Sequence, residues 1–178
     1  IQGHYDERFS VVRDAFEANF AGGEELGASA AVTVDGEYVV DVWGGDRNKN
    51  GDPWEQDTIV NVYSTTKTMA SICMHMLADR GQVDFDVPVA EYWPEFAANG
   101  KESVLVRHVM THQTGCSGFP RPVTPEELYD HSLMAGLLAG MQPWWAPGTA
   151  PGYHAVTQGT LQAEILRRID GRTLGTFF

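Results

Sequence analysis

The sequence predicts an α/β fold of the α+β kind, with one β-hairpin near the start followed by a run of helices. Three observations predict it. Asp35-Gly36 separates two apolar segments, as in a tight hairpin whose two central residues take positive φ. Apolar residues recur at helical spacing in residues 6–20, 65–80 and 156–170. Hydrophobic residues make up 43% and charged residues 20% of the 178 positions, enough apolar material for a core and too little charge for a disordered or coiled-coil chain.

In chain order, Phe9, Val12, Phe16 and Phe20 give the first helix one apolar face, and Gly22-Gly23 stops it. Residues 28–34 and 37–43 are the hairpin strands. Thr58 to Tyr63 is a short extended run after a polar loop at 45–52. The helix over 65–80 is expected to bury Met69, Ile72, Cys73, Met76 and Leu77, with Gly81 past its C-terminus. Thr124-Pro125-Glu126-Glu127 has the form of a capping box with Pro at the first helical position, which predicts one helix to about Gly140. The last helix, near 156–170, buries Leu161, Ile165 and Ile169 and stops at Gly171. An isolated hairpin is marginal in water, so the two strands need further strands or a helix packed on them.

Charge and composition exclude several classes of partner. Twenty-four acidic against 12 basic residues give a net charge of −12, and Arg167-Arg168 is the longest basic run. Nothing here displaces phosphate counterions, so nucleic acid is not an expected partner. No apolar run approaches the ~20 residues of a membrane span, so no membrane partner is expected either. Cys73 and Cys116 are too few for a disulfide framework. Two free cysteines and no visible secretory leader lean towards the cytoplasm, although a leader removed earlier leaves the same view.

Ser64-Thr65-Thr66-Lys67 opens the second helix. Positions i and i+3 share a helix face, so the Lys67 amine can reach the Ser64 hydroxyl. A serine is a weak nucleophile until a neighbouring base takes its proton, and a lysine whose pKa is lowered can be that base. The same tetrapeptide also fits a helix cap followed by a solvated lysine. His108, His112 and Cys116 fall at i, i+4 and i+8, a spacing that can present zinc ligands. Gly115 is expected to end that helix before Cys116, and no fourth ligand suggests itself. Cys73 belongs to the core. Gly115-Cys116-Ser117-Gly118 misses the nucleophile elbow because Phe119 displaces the final glycine. Tyr63, Phe119, Trp144 and Trp145 are candidates for an apolar acyl pocket, with core packing as the alternative for each.

Asn61-Val62-Tyr63-Ser64-Thr65-Thr66-Lys67-Thr68-Met69-Ala70 resembles the nucleophile segment of the serine β-lactamase-like superfamily. That group holds class C β-lactamases, penicillin-binding DD-peptidases and family VIII carboxylesterases. Arg107-His108-Val109-Met110-Thr111-His112-Gln113-Thr114-Gly115 is similar to its Leu-Leu-x-His-Thr-Ser-Gly segment. Trp145-Ala146-Pro147-Gly148-Thr149 followed by Gly152-Tyr153 resembles the segment that delivers its tyrosine. Asp84-Phe85-Asp86-Val87-Pro88-Val89 and Tyr92-Trp93-Pro94 resemble the stretch after the nucleophile helix. The likeness runs from about residue 10 to 178 in the family's order.

The resemblance implies a β-lactamase/DD-peptidase-like fold: an antiparallel sheet plus a helical domain. Residues 1–62 would hold the N-terminal helix and hairpin of the sheet domain, and 63–178 the mainly helical domain. Ser64 would be the acylated nucleophile, with Lys67 and Tyr153 handling protons and no metal or cofactor. Which of Lys67 and Tyr153 is the acylation base stays open. The implied reaction is hydrolysis of small carboxylic esters with short acyl chains. Alternatives are a β-lactamase or D-amino-acid peptidase, or a penicillin-recognising module that acylates without turnover. Two departures bear on this. The lactamase Tyr-x-Asn is Tyr153-His154-Ala155 here, and the Ala155 methyl cannot hydrogen-bond a substrate amide. The family's later strands, with a Lys-Thr-Gly-like motif and half of the oxyanion hole, lie outside these residues. The expectation is that a C-terminal segment or second polypeptide completes the sheet, and that the 178 residues alone are inactive.

Overall fold

The computed structural model describes residues 1–178, which divide into two compact units, Ile1–Asn61 and Val62–Phe178. In the first unit, strand β1 (Gln2–Tyr5) leads through a 3₁₀ turn at Glu7–Phe9 into helix α1 (Ser10–Ala21). Strands β2 (Gly27–Val34) and β3 (Glu37–Gly45) follow. Asp35 and Gly36 take φ of 52° and 84°, the two left-handed conformations that a type I′ hairpin turn requires. Glycine adopts this without a Cβ penalty and aspartate tolerates it, so the dipeptide sets the register of the hairpin.

The sheet has three strands in the order β1-β3-β2, both pairs antiparallel. Tyr5 faces Val40 and Gln2 faces Trp43 on one side of β3, while Val32 faces Val40 and Gly27 faces Gly45 on the other. A bulge between Val32 and Thr33 shifts the pairing so that Thr33 meets Tyr38. Beyond the bulge, Val40 and Val42 point to one face and meet Phe16 of α1. Phe9, Val12 and Phe20 complete that small core. The expected apolar face of α1 is therefore the one it buries. β1 is a strand the sequence pattern did not announce. It is short, contains Gly3 and lacks apolar alternation, and its pairing with β3 supplies what its composition does not. The extended run at 58–62 joins no ladder, and Ile59 is 93% exposed.

The second unit holds α2 (Thr66–Asp79), α3 (Val106–Met110), α4 (Pro125–Leu128), α5 (His131–Gly140), α6 (Thr157–Asp170) and α7 (Leu174–Phe177). Its core gathers Cys73, Met74 and Leu77 of α2 with Val106 and Val109 of α3. Leu138 of α5 and Leu161, Ile165 and Leu166 of α6 close around Trp93 and Phe96 from the intervening loop. Burying one such leucine stabilises the fold by about 2 kcal/mol. No helix is long and apolar enough to cross a membrane. Both cysteines are free and buried.

Three expectations are corrected here. α2 buries Ala70, Cys73, Met74 and Leu77, whereas Met69, Ile72 and Met76 are exposed. The helix is apolar almost all round, so periodicity admits more than one face, and the packing of α6 selects the one through Ala70. The single helix expected over 124–140 is two. Thr124 and Glu127 form the capping box of α4, but Asp130 then caps α5 by accepting the Leu133 N–H at 2.9 Å. The helix expected to reach Gly115 stops at Met110, because His112 takes a left-handed φ of 62° and Gln113 N–H closes on the His108 carbonyl at 2.7 Å. In α6, Leu161 and Ile165 are fully buried, Ile169 is half-buried, and Gly171 ends the helix at φ 87°.

Candidate active site

A 3₁₀ turn at Tyr63–Thr65 feeds α2 and carries Ser64 on its outer side. Tyr63, directly before it, holds a left-handed φ of 45°, a conformation that costs a non-glycine residue about 1 kcal/mol and clusters at functional sites. Ser64 makes no helix-capping bond. Its hydroxyl oxygen instead accepts two hydrogen bonds, from Lys67 Nζ at 3.1 Å and from Tyr153 Oη at 2.6 Å. Lys67 is one turn along α2, as the i, i+3 spacing predicts, and also donates to the Ala155 carbonyl at 2.7 Å. That second bond ties α2 to the 153–155 loop. The Lys67 ammonium lies 5.0 Å from the Tyr153 ring centre.

The hydrogen bond to Ser64 and the adjacent Lys67 hold the Tyr153 phenol below its ordinary value. The loop that presents it is built on the turn after α3. Gly152 N–H donates to the His112 carbonyl at 2.9 Å, and His154 N–H donates to His112 Nδ1 at 3.1 Å. His154 is fully buried, with Nδ1 2.5 Å from the Gly152 carbonyl and Nε2 2.6 Å from Thr114 Oγ1. Trp145 also braces the loop. Its indole donates to the Ala150 carbonyl at 2.7 Å, and a Cβ on Gly152 would lie 2.3 Å from its ring. Glycine is required there by proximity.

Of the four aromatic pocket candidates, Tyr63 lines a depression beside Lys67 together with Thr66, Ala70, Ala155, Val156, Gly159 and Leu174. Trp145 is spent on the Tyr153 loop, Trp144 covers Gly118, and Phe119 packs against the helical core. Those three are not brought to the Ser64 depression. His108, His112 and Cys116 turn to separate partners. His108 Nδ1 accepts from Leu105 N–H at 3.2 Å, His112 Nδ1 from His154 N–H, and Cys116 is buried beside Thr114. No group of three His, Cys, Asp or Glu side chains is placed to share a metal ion. Thr114 and His154 were not among the expected site residues, and neither was His112 in the part it plays here. The tripeptide Tyr153-His154-Ala155 was the available signal, since a buried histidine next to the candidate tyrosine has both ring nitrogens to satisfy.

The sheet, the helical unit and the order of motifs along the chain define a β-lactamase-like α/β fold. The chain belongs to the beta-lactamase family, whose family model matches residues 12–178. It is 43% identical, over its whole length and 41% of the relative's, to the esterase/beta-lactamase LipL of Mycobacterium tuberculosis. The crystal structure of a family VIII carboxylesterase superposes with a TM-score of 0.95 at 45% identity, covering 99% of this chain and 48% of that one. A penicillin-binding protein homolog from Caulobacter crescentus superposes with a TM-score of 0.94 at 44% identity, covering 98% and 47%. The chain thus spans less than half the length of these relatives.

Proposed function

We propose that this chain carries the acylating machinery of a serine hydrolase acting on small carboxylic esters with short acyl chains. The observation that carries the reading is the single hydroxyl of Ser64 within hydrogen-bond reach of both Tyr153 Oη and Lys67 Nζ. In the proposed acylation, Tyr153 as phenolate takes the Ser64 proton across the 2.6 Å contact while Ser64 Oγ bonds to the ester carbonyl carbon. The oxyanion then collapses, the C–O bond to the alcohol breaks, and Tyr153 returns its proton to the departing alkoxide. In deacylation Tyr153 takes a proton from water and the hydroxide bonds to the acyl carbon. The intermediate collapses, the bond from that carbon to Ser64 Oγ breaks, the carboxylic acid leaves, and Tyr153 returns its proton to Ser64 Oγ. Lys67 remains an ammonium that favours the phenolate and orients Ser64. Its two oxygen acceptors, Ser64 Oγ and the Ala155 carbonyl, suit that charged role.

Esters are favoured over β-lactams because the third residue of the tyrosine motif is Ala155. Its methyl group offers nothing to a lactam side-chain amide, and its carbonyl is occupied by Lys67. The likeness to a family VIII carboxylesterase supports the same choice. The Ser64 N–H supplies one oxyanion donor in this reading. A further segment or second polypeptide, corresponding to the part of the relatives that this chain does not span, supplies the other, and without it the rate falls by about 10²–10³.

The test is mass spectrometry before and after a reactive alkyl phosphonate ester, on the 178 residues and on the whole natural polypeptide. The reading expects one adduct, on Ser64, that Ser64→Ala abolishes. An adduct elsewhere, or turnover of a cephalosporin as fast as a short-chain ester, overturns the nucleophile or the substrate class respectively. An acyl-enzyme that forms and never releases product would favour a penicillin-recognising module.

A further inference from the structure

The two backbone N–H groups that flank Tyr153 both end on one residue. Gly152 N–H meets the His112 carbonyl at 2.9 Å, and His154 N–H meets His112 Nδ1 at 3.1 Å. The His112 ring also lies against the Tyr153 ring, with centroids 5.0 Å apart. A backbone N–H only donates, so Nδ1 of His112 must hold a lone pair and the ring must be neutral. The layer beneath has no slack. The Gly152 carbonyl only accepts, so the proton of the neutral His154 ring sits on Nδ1, and Nε2 accepts a hydrogen bond from the Thr114 hydroxyl. Thr114 Oγ1 in turn accepts the Cys116 N–H at 3.0 Å.

We infer that His112 is the positioning residue of Tyr153, acting only as a neutral imidazole whose Nδ1 and backbone carbonyl together clamp both sides of the tyrosine. The inference rests on the proposed proton transfer between Tyr153 and Ser64. Protonating His112 would turn Nδ1 into a donor facing the His154 N–H and open the clamp. The charged and titratable groups facing His112 are Lys67 of α2 and Tyr153 and His154 of the loop. Burial and the Lys67 charge both oppose the proton, so the clamp opens only below the ordinary histidine value.

The left-handed turn at His112 suggests the rescuing variant. Asparagine tolerates φ of 62°, and its Oδ1 can stand where Nδ1 stands without ever titrating. On the whole natural polypeptide, His112→Ala is expected to lower kcat for para-nitrophenyl butyrate by about 10²-fold with little change in KM, as misplacing a reacting group does. His112→Asn is expected to restore kcat to within about threefold of the parent. The pH profile of kcat/KM reads the ionisation directly. Two protons block the parent at low pH, one on Tyr153 and one on His112, so log kcat/KM falls with a slope of about two below the His112 pKa, whereas His112→Asn keeps a slope of about one.

Equal impairment of the Asn and Ala variants, or a slope of about two in His112→Asn, overturns the inference. If His112→Ala does not fold, the His112→Asn profile decides alone. Phosphonate labelling that survives Ser64→Ala would instead remove the underlying mechanism. An inert Ser64→Ala beside a parent-like His112→Ala removes only the clamp.

Discussion

Tyr153 Oη and Ser64 Oγ lie 2.6 Å apart although 89 residues separate them in the chain. Neither helix brings them together by itself. Ser64 is set by the turn into α2, Tyr153 by a loop fastened to the turn after α3, and Lys67 joins the two by bonding Ser64 and the Ala155 carbonyl at once. Tyr153→Phe keeps the ring and removes the oxygen, so the packing against His112 persists while the proposed proton route is lost. The expected outcome is a fall in kcat of about 10²–10⁴ with KM nearly unchanged, read by steady-state hydrolysis of para-nitrophenyl butyrate. A loss below tenfold would mean that Lys67, and not Tyr153, takes the serine proton.

Lys67→Met separates the charge of the lysine from its bulk. Because the Ser64 hydrogen bond and Lys67 both hold the Tyr153 phenol down, removing the ammonium should let its pKa climb back towards the ordinary tyrosine value. In the proposed acylation the phenolate is the active form, so the parent should gain activity with rising pH before free tyrosine would ionise, and the variant only at higher pH. The expected result is a phosphonate-labelling rate for Ser64 whose pH profile moves to the alkaline side. A profile that drops in height without moving would show that Lys67 orients Ser64 and does not tune Tyr153.

Local chemistry was the legible part of this fold. Asp35-Gly36 marked its hairpin because only a few residues accept two successive positive φ values, and Thr124-Glu127 marked its cap through a reciprocal pair of bonds. Ser64 and Lys67 were legible because one helical turn joins them. Tyr153 needed the family resemblance, since no local rule connects it to Ser64. The face of α2 was misread because Met69, Ile72 and Met76 are as apolar as Ala70, Cys73 and Met74, and only the partner helix distinguishes them. β1 escaped notice because Gln2, Gly3 and His4 carry little strand preference, and the ladder with β3 overrides it. The part of His112 was hidden for a different reason: it is exercised through a backbone carbonyl and a ring nitrogen on a neighbouring loop.

Gly152→Ala tests the bracing of the tyrosine loop by Trp145. The added Cβ would stand 2.3 Å from Trp145 Cη2, which requires the ring or the loop to move. The ring is held by its bond to the Ala150 carbonyl, so part of the displacement falls on Tyr153, one residue away. A shift approaching 1 Å there should cost about 10²-fold in kcat while the protein stays folded by circular dichroism. Trp145→Phe combined with Gly152→Ala should recover part of that loss by removing the clashing ring edge. No recovery in the double variant would place the strain somewhere other than the tryptophan.

Glu164 offers a stability prediction that is independent of the chemistry. Its side chain is 4% exposed, and its carboxylate takes hydrogen bonds from Arg167, Arg168 and His131 at 2.7–2.9 Å. Burial pushes the carboxyl up, but these bonds outweigh it and hold the pKa at about 2, against 4.5 for an ordinary glutamate. A carboxyl depressed in the folded state binds fewer protons there than in the unfolded chain. Its contribution is therefore complete above about pH 4.5 and is lost as the pH falls towards about 2. Glu164→Gln should destabilise the protein by about 3 kcal/mol at pH 7, the stabilisation that a carboxyl pKa of about 2 against 4.5 represents. At pH 3 the gap between parent and variant should be narrower by about 2 kcal/mol. His108, His112 and His154, whose pKa values burial lowers, cost stability below the ordinary histidine value of 6.5 in both proteins and cancel from the difference. Urea unfolding of both proteins from pH 7 down to pH 3 measures that gap, and one that stays constant would mean that the glutamine keeps the Arg167 and Arg168 bonds and that the charge contributes nothing.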